Sequence, residues 1–105
     1  MIDWAQLESL KAEMGESFPE IIALFLEEAG EIVVRLEHGE NRDARALAAD
    51  LHALKGAALN LGLDSLARRC AEGEKNAEAG EVNQIALPAL IACYHESCAV
   101  LEARL

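Results

Sequence analysis

One apolar stripe in the middle of the chain constrains its fold most. Leu47, Leu51, Leu54 and Ala58 follow one another at steps of four, three and four residues. Residues at these spacings share one face of an α-helix, whereas a half-buried strand would alternate at every second position. The pattern predicts a helix that is capped by Asn41, runs to about residue 60 and buries this stripe.

The residues available for a core also favour helices. Hydrophobic residues make up 52% of the 105 residues, but aromatic residues only 4%. A core of leucine, isoleucine, valine and alanine suits close-packed helices better than a sheet. We therefore predict an all-α fold, and the length predicts a single domain over residues 1–105.

Capping residues, glycines and prolines divide the chain into five predicted helices. A short first helix over about residues 3–13 is capped by Asp3 with Gln6. The second starts in a capping box at Ser17 and stops at Gly39, and the third turns at Gly62. The fourth begins at Asp64, ends at Gly80 and is the antiparallel neighbour of the third. The fifth spans about residues 81–104, and we expect a bend at Pro88 rather than a start there.

The charge excludes several classes of partner. The formal net charge is −10, with 19 acidic residues against nine lysines and arginines. A phosphate backbone or an anionic lipid surface would repel such a chain, so we expect no nucleic-acid or membrane partner. No apolar run approaches the roughly 20 residues of a membrane span, and the first residues lack a basic signal-peptide region. These features predict a cytoplasmic protein.

Metal and redox chemistry have no positive support. Cys70, Cys93 and Cys98 are odd in number and lack C-x-x-C spacing, which favours small, reduced, buried side chains. The three histidines show no H-x-x-x-H ligand spacing, so we predict no metal site. A metal-dependent bundle enzyme is disfavoured because paired carboxylate-x-x-His motifs are missing.

His52 lies one step round the helix from the buried stripe and should face water. Lys55 and Gly56 share its face, because residues three and four apart are neighbours on a helix surface. Ala48, Ala49 and Gly56 are small and leave the imidazole unshielded. The result is an accessible nucleophile with a nearby cation and a flat approach surface. Close contact with another helix is the alternative reason for Gly56, and a solvated surface charge is the alternative for Lys55.

The run from His52 to Gly62, H-x-L-K-G-A-A-x-x-x-G, resembles the signature of histidine-containing phosphotransfer (Hpt) domains. The resemblance implies an antiparallel four-helix bundle, here with an additional short N-terminal helix. It also implies that His52 is the phosphoacceptor of a two-component phosphorelay, with charge support from Lys55 and steric access provided by Gly56. Such a protein is a phosphoryl carrier, a phosphoprotein bearing phosphohistidine, rather than a kinase with its own ATP site.

A further residue of the resembling family lies on the next helix. There a polar residue, often glutamine, orients the imidazole from four positions after a common cysteine. Counted from Cys70, that position is Glu74. The turn at Gly62 places Glu74 level with His52 independently, so we expect it to orient the ring. An ordinary solvated glutamate is the alternative.

The resemblance also implies the partners. Response-regulator receiver domains and a hybrid histidine kinase would dock on the exposed helix faces, through Arg45, Ala48, Ala49 and Leu59. The chain itself would need no cofactor, since Mg²⁺ is expected on the receiver. We expect a monomer. The alternative function is a helical adaptor that binds a receiver domain without phosphotransfer.

Overall fold

The computed structural model describes residues 2–39 and 43–104, and within them the chain forms five α-helices and two 3₁₀ turns. The all-α prediction is confirmed, as is the four-helix bundle with a short extra helix at the N-terminus. The helices are α1 (Trp4–Met14), α2 (Phe18–His38), α3 (Ala44–Asn60), α4 (Asp64–Glu78) and α5 (Leu87–Ala103). The 3₁₀ turns are Gly15–Ser17 and Val82–Gln84.

The bundle core is aliphatic. The predicted stripe on α3 is buried, with Leu51, Leu54 and Ala58 at 0% exposure and Leu47 at 2%. Each buried leucine contributes about 1.5–3 kcal/mol of hydrophobic stabilisation relative to exposure. This stripe fixes the rotation of α3, and therefore which of its residues face solvent.

The N-terminal helix is tied to the turn between α3 and α4. Asp3 caps α1 by accepting a hydrogen bond from the Gln6 backbone N–H at 3.1 Å. The Gln6 side chain does not close the capping box; it donates to the Leu59 carbonyl at 2.6 Å. The Asp3 N–H donates to the Gly62 carbonyl, also at 2.6 Å. Gly62 has φ 73°, and a Cβ there would lie 2.9 Å from the Asp3 carbonyl oxygen, so glycine is required.

Two predicted helix starts need correction. The Ser17 side chain makes no capping hydrogen bond, because its φ and ψ of −81° and −9° continue the preceding 3₁₀ turn. The prediction of a bend at Pro88 is wrong. Helix α5 begins at Leu87, and Pro88 lies in its first turn, where the missing N–H leaves no intrahelical bond unmade.

The remaining boundaries follow local capping rules. Asn41 lies outside the described residues, and Asp43 caps α3 by accepting from the Ala46 N–H at 2.9 Å. Gly39 ends α2 with φ 65°, as expected.

Helix α2 runs through Gly30 without interruption, and a Cβ there would make an ordinary 3.6 Å contact with the Tyr94 hydroxyl.

The three cysteines are free thiols. Cys70 and Cys98 are buried, as predicted, whereas Cys93 is half-buried. Burial raises the pKa of the Cys70 thiol to about 12, which keeps it protonated and unreactive at neutral pH.

Candidate functional site

The His52 imidazole projects into solvent from the middle of α3, with 68% of its side chain exposed. Its neighbour Leu51 is fully buried, so the rotation of α3 that buries the apolar stripe turns His52 outward. Ala49 and Gly56, three residues before it and four after, are exposed on the same face. One side of the ring is therefore open to a partner.

The other side of the ring meets helix α4. His52 Nδ1 lies 2.9 Å from Glu74 Oε2. The second oxygen of the same carboxylate, Oε1, accepts a hydrogen bond from Lys55 Nζ at 2.8 Å. The Glu74 side chain is only 16% exposed, and that of Lys55 27%. One half-buried carboxylate thus joins the imidazole to the ammonium group across the α3–α4 hairpin.

The charge of Glu74 determines which nitrogen of the neutral His52 imidazole carries the proton. The hydrogen bond from Lys55, followed by that from His52, holds the pKa of the Glu74 carboxyl below its ordinary value. The carboxylate is therefore ionised at neutral pH and can only accept hydrogen bonds. In the neutral imidazole, the proton must then lie on Nδ1 to make the 2.9 Å hydrogen bond. This tautomer leaves the Nε2 lone pair bare.

Gly56 serves no packing contact. A Cβ built on it would have no other non-hydrogen atom within 4 Å beyond its own surroundings in α3. Close contact with another helix is therefore excluded as the reason for this glycine. A helix-interior glycine costs about 0.8–1.0 kcal/mol relative to alanine, so the residue keeps the surface beside His52 low at the expense of stability.

The predicted partner-binding residues surround His52 on the face of α3. At 100° per residue, Arg45, Ala48, Ala49 and Leu59 all lie within about 60° of His52. Arg45 and Ala49 are exposed, Ala48 is half-buried, and Leu59 is 50% exposed. We call these four residues and Gly56 the α3 face.

A groove of about 340 Å³ between α2 and α3 borders the α3 face at Gly56. Leu24 of α2, which lies along it, is 53% exposed. The open side of His52 is thus continuous with an apolar surface from a second helix.

Sequence comparison assigns this arrangement to a family. The profile of the Hpt domain matches residues 20–103, which include His52, Lys55, Gly56 and Glu74. The chain belongs to the Hpt domain family.

A solved structure agrees with the assignment. The crystal structure of histidine-containing phosphotransfer protein B (HptB) from Pseudomonas aeruginosa PAO1 superposes with a TM-score of 0.79. The two sequences are 31% identical, and the match covers 95% of this chain and 86% of that one. A comparison with curated protein sequences finds no match.

Two features of this Hpt domain do not follow from its sequence pattern. The sequence predicts Lys55 as a local cation but not its hydrogen bond to Glu74. Gly73, directly before Glu74 on α4, is buried, and a Cβ there would lie 2.9 Å from Leu51 Cδ1. A glycine inside a helix next to a site residue was the available signal.

The bundle also carries a clamp between α2 and α3. Arg35 donates to both carboxylate oxygens of Asp50, at 3.2 and 2.8 Å. Asp50 lies two residues before His52, so this pair anchors α2 beside the α3 face.

Across residues 2–39 and 43–104, the His, Cys, Asp and Glu side chains form no group of three that could hold a metal ion. Within the same ranges, no helix combines the length and apolar character that a membrane span requires.

Proposed function

We propose that this protein is a histidine phosphotransfer protein of a two-component phosphorelay. It accepts a phosphoryl group on His52 from the aspartate of one receiver domain and passes it to another. The observation that carries the proposal is the exposed imidazole, which is bound through Nδ1 to an ionised carboxylate in a chain of the Hpt family.

The geometry accounts for the chemistry of acceptance. The Nε2 lone pair attacks the phosphorus of an aspartyl phosphate; the P–N bond forms while the bond from phosphorus to the aspartate oxygen breaks. The aspartate leaves as a carboxylate with the electron pair. The Nδ1 proton stays between the ring and Glu74, whose negative charge balances the positive charge developing on the imidazole. Donation to the next receiver reverses these steps.

The remaining site residues assist this transfer. Lys55, 2.8 Å from Glu74, keeps a positive charge close to the ring and offsets the charge of the phosphoryl group. The open surface at Gly56 admits the receiver. The Mg²⁺ that such a reaction uses would be brought by the receiver domain.

The partners follow from the docking surface. Response-regulator receiver domains, among them that of a hybrid histidine kinase, would dock on the α3 face and the adjoining groove. Arg45 is an exposed cation in a chain of net charge −10, so it would favour an acidic receiver cleft next to His52. The protein would act as a monomer, since self-association through this face would cover the phosphoacceptor.

A second candidate function is an adaptor that binds a receiver without accepting phosphate. The observation in its favour is Glu74 itself, whose negative charge lies 2.9 Å from the ring and repels a phosphoryl group. Lys55 offsets this repulsion, which is why we place transfer first.

One experiment separates the two functions. The protein is incubated with a receiver domain that carries radioactive phosphate on its aspartate, and the labelled chain is then treated with acid or base. We expect label that acid removes and base does not, as for phosphohistidine. His52→Gln should abolish the labelling, whereas the matched controls His38→Gln and His95→Gln, both at exposed positions, should keep it. A receiver that binds without transferring label would establish the adaptor.

A further inference from the structure

Three glycines lie inside the described helices, and one of them differs from the others. A Cβ at Gly56 would meet open space, and one at Gly30 would make an ordinary contact at 3.6 Å. A Cβ at Gly73 would lie 2.9 Å from Leu51 Cδ1 and 3.4 Å from Ile85 Cγ2. The first distance is shorter than a carbon–carbon contact allows, so a side chain at Gly73 requires either Leu51 or helix α4 to shift.

The two side chains nearest to a Cβ at Gly73 belong to two different segments of the chain. Leu51 belongs to α3 and is 0% exposed, so its side chain is packed on all sides and cannot simply turn away. Ile85 follows the 3₁₀ turn Val82–Gln84 and packs against the core. A methyl group at this position would therefore push α4 away from α3.

The consequence reaches the site because Glu74 is the next residue. Its carboxylate lies 2.9 Å from His52 Nδ1 and 2.8 Å from Lys55 Nζ. Such hydrogen bonds hold over about 2.7–3.2 Å and are lost near 3.6 Å. A displacement of α4 by less than about 1 Å is thus enough to weaken both.

We propose that Gly73 is a positioning residue for the phosphoacceptor. By letting α4 approach α3, it sets the distance from Glu74 to His52 and so holds the imidazole proton on Nδ1. The expected effect of Gly73 on phosphoryl transfer rests on the proposed function. The expected effect of Gly73 on the imidazole tautomer does not, because it involves no phosphoryl group.

The test compares alanine at Gly73 with alanine at Gly30, a helical glycine on α2. The ring nitrogens of His52 are observed by ¹⁵N NMR at alkaline pH, where an imidazole is neutral and its tautomer can be measured. Gly73→Ala should shift the ring from the Nδ1–H form toward a mixture of tautomers, as should Glu74→Ala. Gly30→Ala gains the same helix propensity and should keep the wild-type spectrum. An unchanged Gly73→Ala spectrum, or the same change in Gly30→Ala, would overturn the proposal.

A double variant tests whether Gly73→Ala loses the Nδ1–H form through the contact with Leu51 or through general damage to the fold. Leu51→Ala removes the atom that the new methyl group meets, so Leu51→Ala/Gly73→Ala should recover the Nδ1–H form that Gly73→Ala loses. If the double variant stays folded and its ring remains in a mixture, close approach at Gly73 is not the cause and the proposal fails. This comparison also applies if Gly73→Ala alone does not fold.

Phosphoryl acceptance provides a second readout. With a phosphorylated receiver as donor, Gly73→Ala should accept phosphate about 10-fold to 100-fold more slowly, since misplacement by about 1 Å has effects of this order. The double variant should recover part of the rate. A wild-type protein that accepts no phosphate refutes the proposed function, whereas the NMR comparison still decides the role of Gly73.

Discussion

Replacement of Glu74 by glutamine tests whether its charge stabilises the α3–α4 hairpin. Hydrogen bonds to charged groups contribute about 1.5–3 kcal/mol, and neutral ones about 0.5–1.5 kcal/mol. In the variant the Lys55 ammonium can still bind the amide oxygen and only the ion pair is lost, so the change there costs about 1 kcal/mol. His52 is 68% exposed, and its pairing adds at most about 1 kcal/mol. We expect Glu74→Gln to lower the free energy of unfolding by about 1–2 kcal/mol at neutral pH.

The pH dependence of this loss has a definite sign. The pKa of the Glu74 carboxyl is lower in the folded protein, chiefly because of the hydrogen bond from Lys55. Its contribution is therefore fully present above the ordinary glutamate pKa of 4.5, and it disappears as the pH falls through the folded value. The difference in stability between wild type and Glu74→Gln should vanish over the same acidic range.

Urea unfolding followed by circular dichroism measures both effects. With a slope of about 2 kcal/mol per molar urea, the middle of the range for small proteins, the midpoint should fall by roughly 0.5–1 M at neutral pH. Glu72→Gln is the matched control, because it removes the same charge from an exposed position on the same helix. Equal midpoints for the two variants, or a Glu74→Gln deficit that persists in acid, would refute the electrostatic reasoning.

Three further predictions follow from the described contacts. Gly56→Gln should unfold at the same or a higher urea concentration, since nothing lies within 4 Å of a Cβ at this position. It should nevertheless accept phosphate from a receiver more slowly than wild type, and an unaltered rate would contradict a steric role for Gly56. Leu54→Ala should lower the free energy of unfolding by about 2–5 kcal/mol in chemical denaturation, because the Leu54 side chain is 0% exposed. A loss below about 1 kcal/mol would mean that the core collapses around the cavity. Asp43→Ala should lower stability by about 1 kcal/mol and Ser17→Ala hardly at all, since only Asp43 makes a capping bond; equal effects would contradict this assignment of caps.

The sequence predicts the helices well where periodicity and caps agree. The buried stripe on α3, the cap at Asp3 and the stop at Gly39 depend on residues close in the chain, so local rules suffice. Pro88 shows where they fail. A proline is compatible with a helix start or a bend, and the choice depends on whether the preceding segment has a hydrogen-bonded helical turn to continue.

The candidate site divides in the same way. The spacing of His52, Lys55 and Gly56 on one helix face can be read from the sequence. The position of the hairpin turn also predicts that Glu74 lies at the same height along the bundle as His52. The bond between Lys55 and Glu74 and the tight contact of Gly73 with Leu51 depend on the separation of two helices. That separation is set by side-chain packing, which periodicity does not contain.

The shared carboxylate differs from a glutamine amide at position 74 for a reason beyond charge. A carboxylate offers two equivalent acceptors, and here each serves a different donor. An amide has one oxygen and one NH₂ group, so the Lys55 ammonium, which has only donors, and the Nδ1–H of His52 would both need that oxygen. If the NH₂ group faced Nδ1 instead, it would favour the imidazole with its proton on Nε2, the atom that must attack. The hydrogen bond made by Lys55 on α3 therefore affects how a side chain at position 74 on α4 can orient His52, so the two positions are chemically coupled.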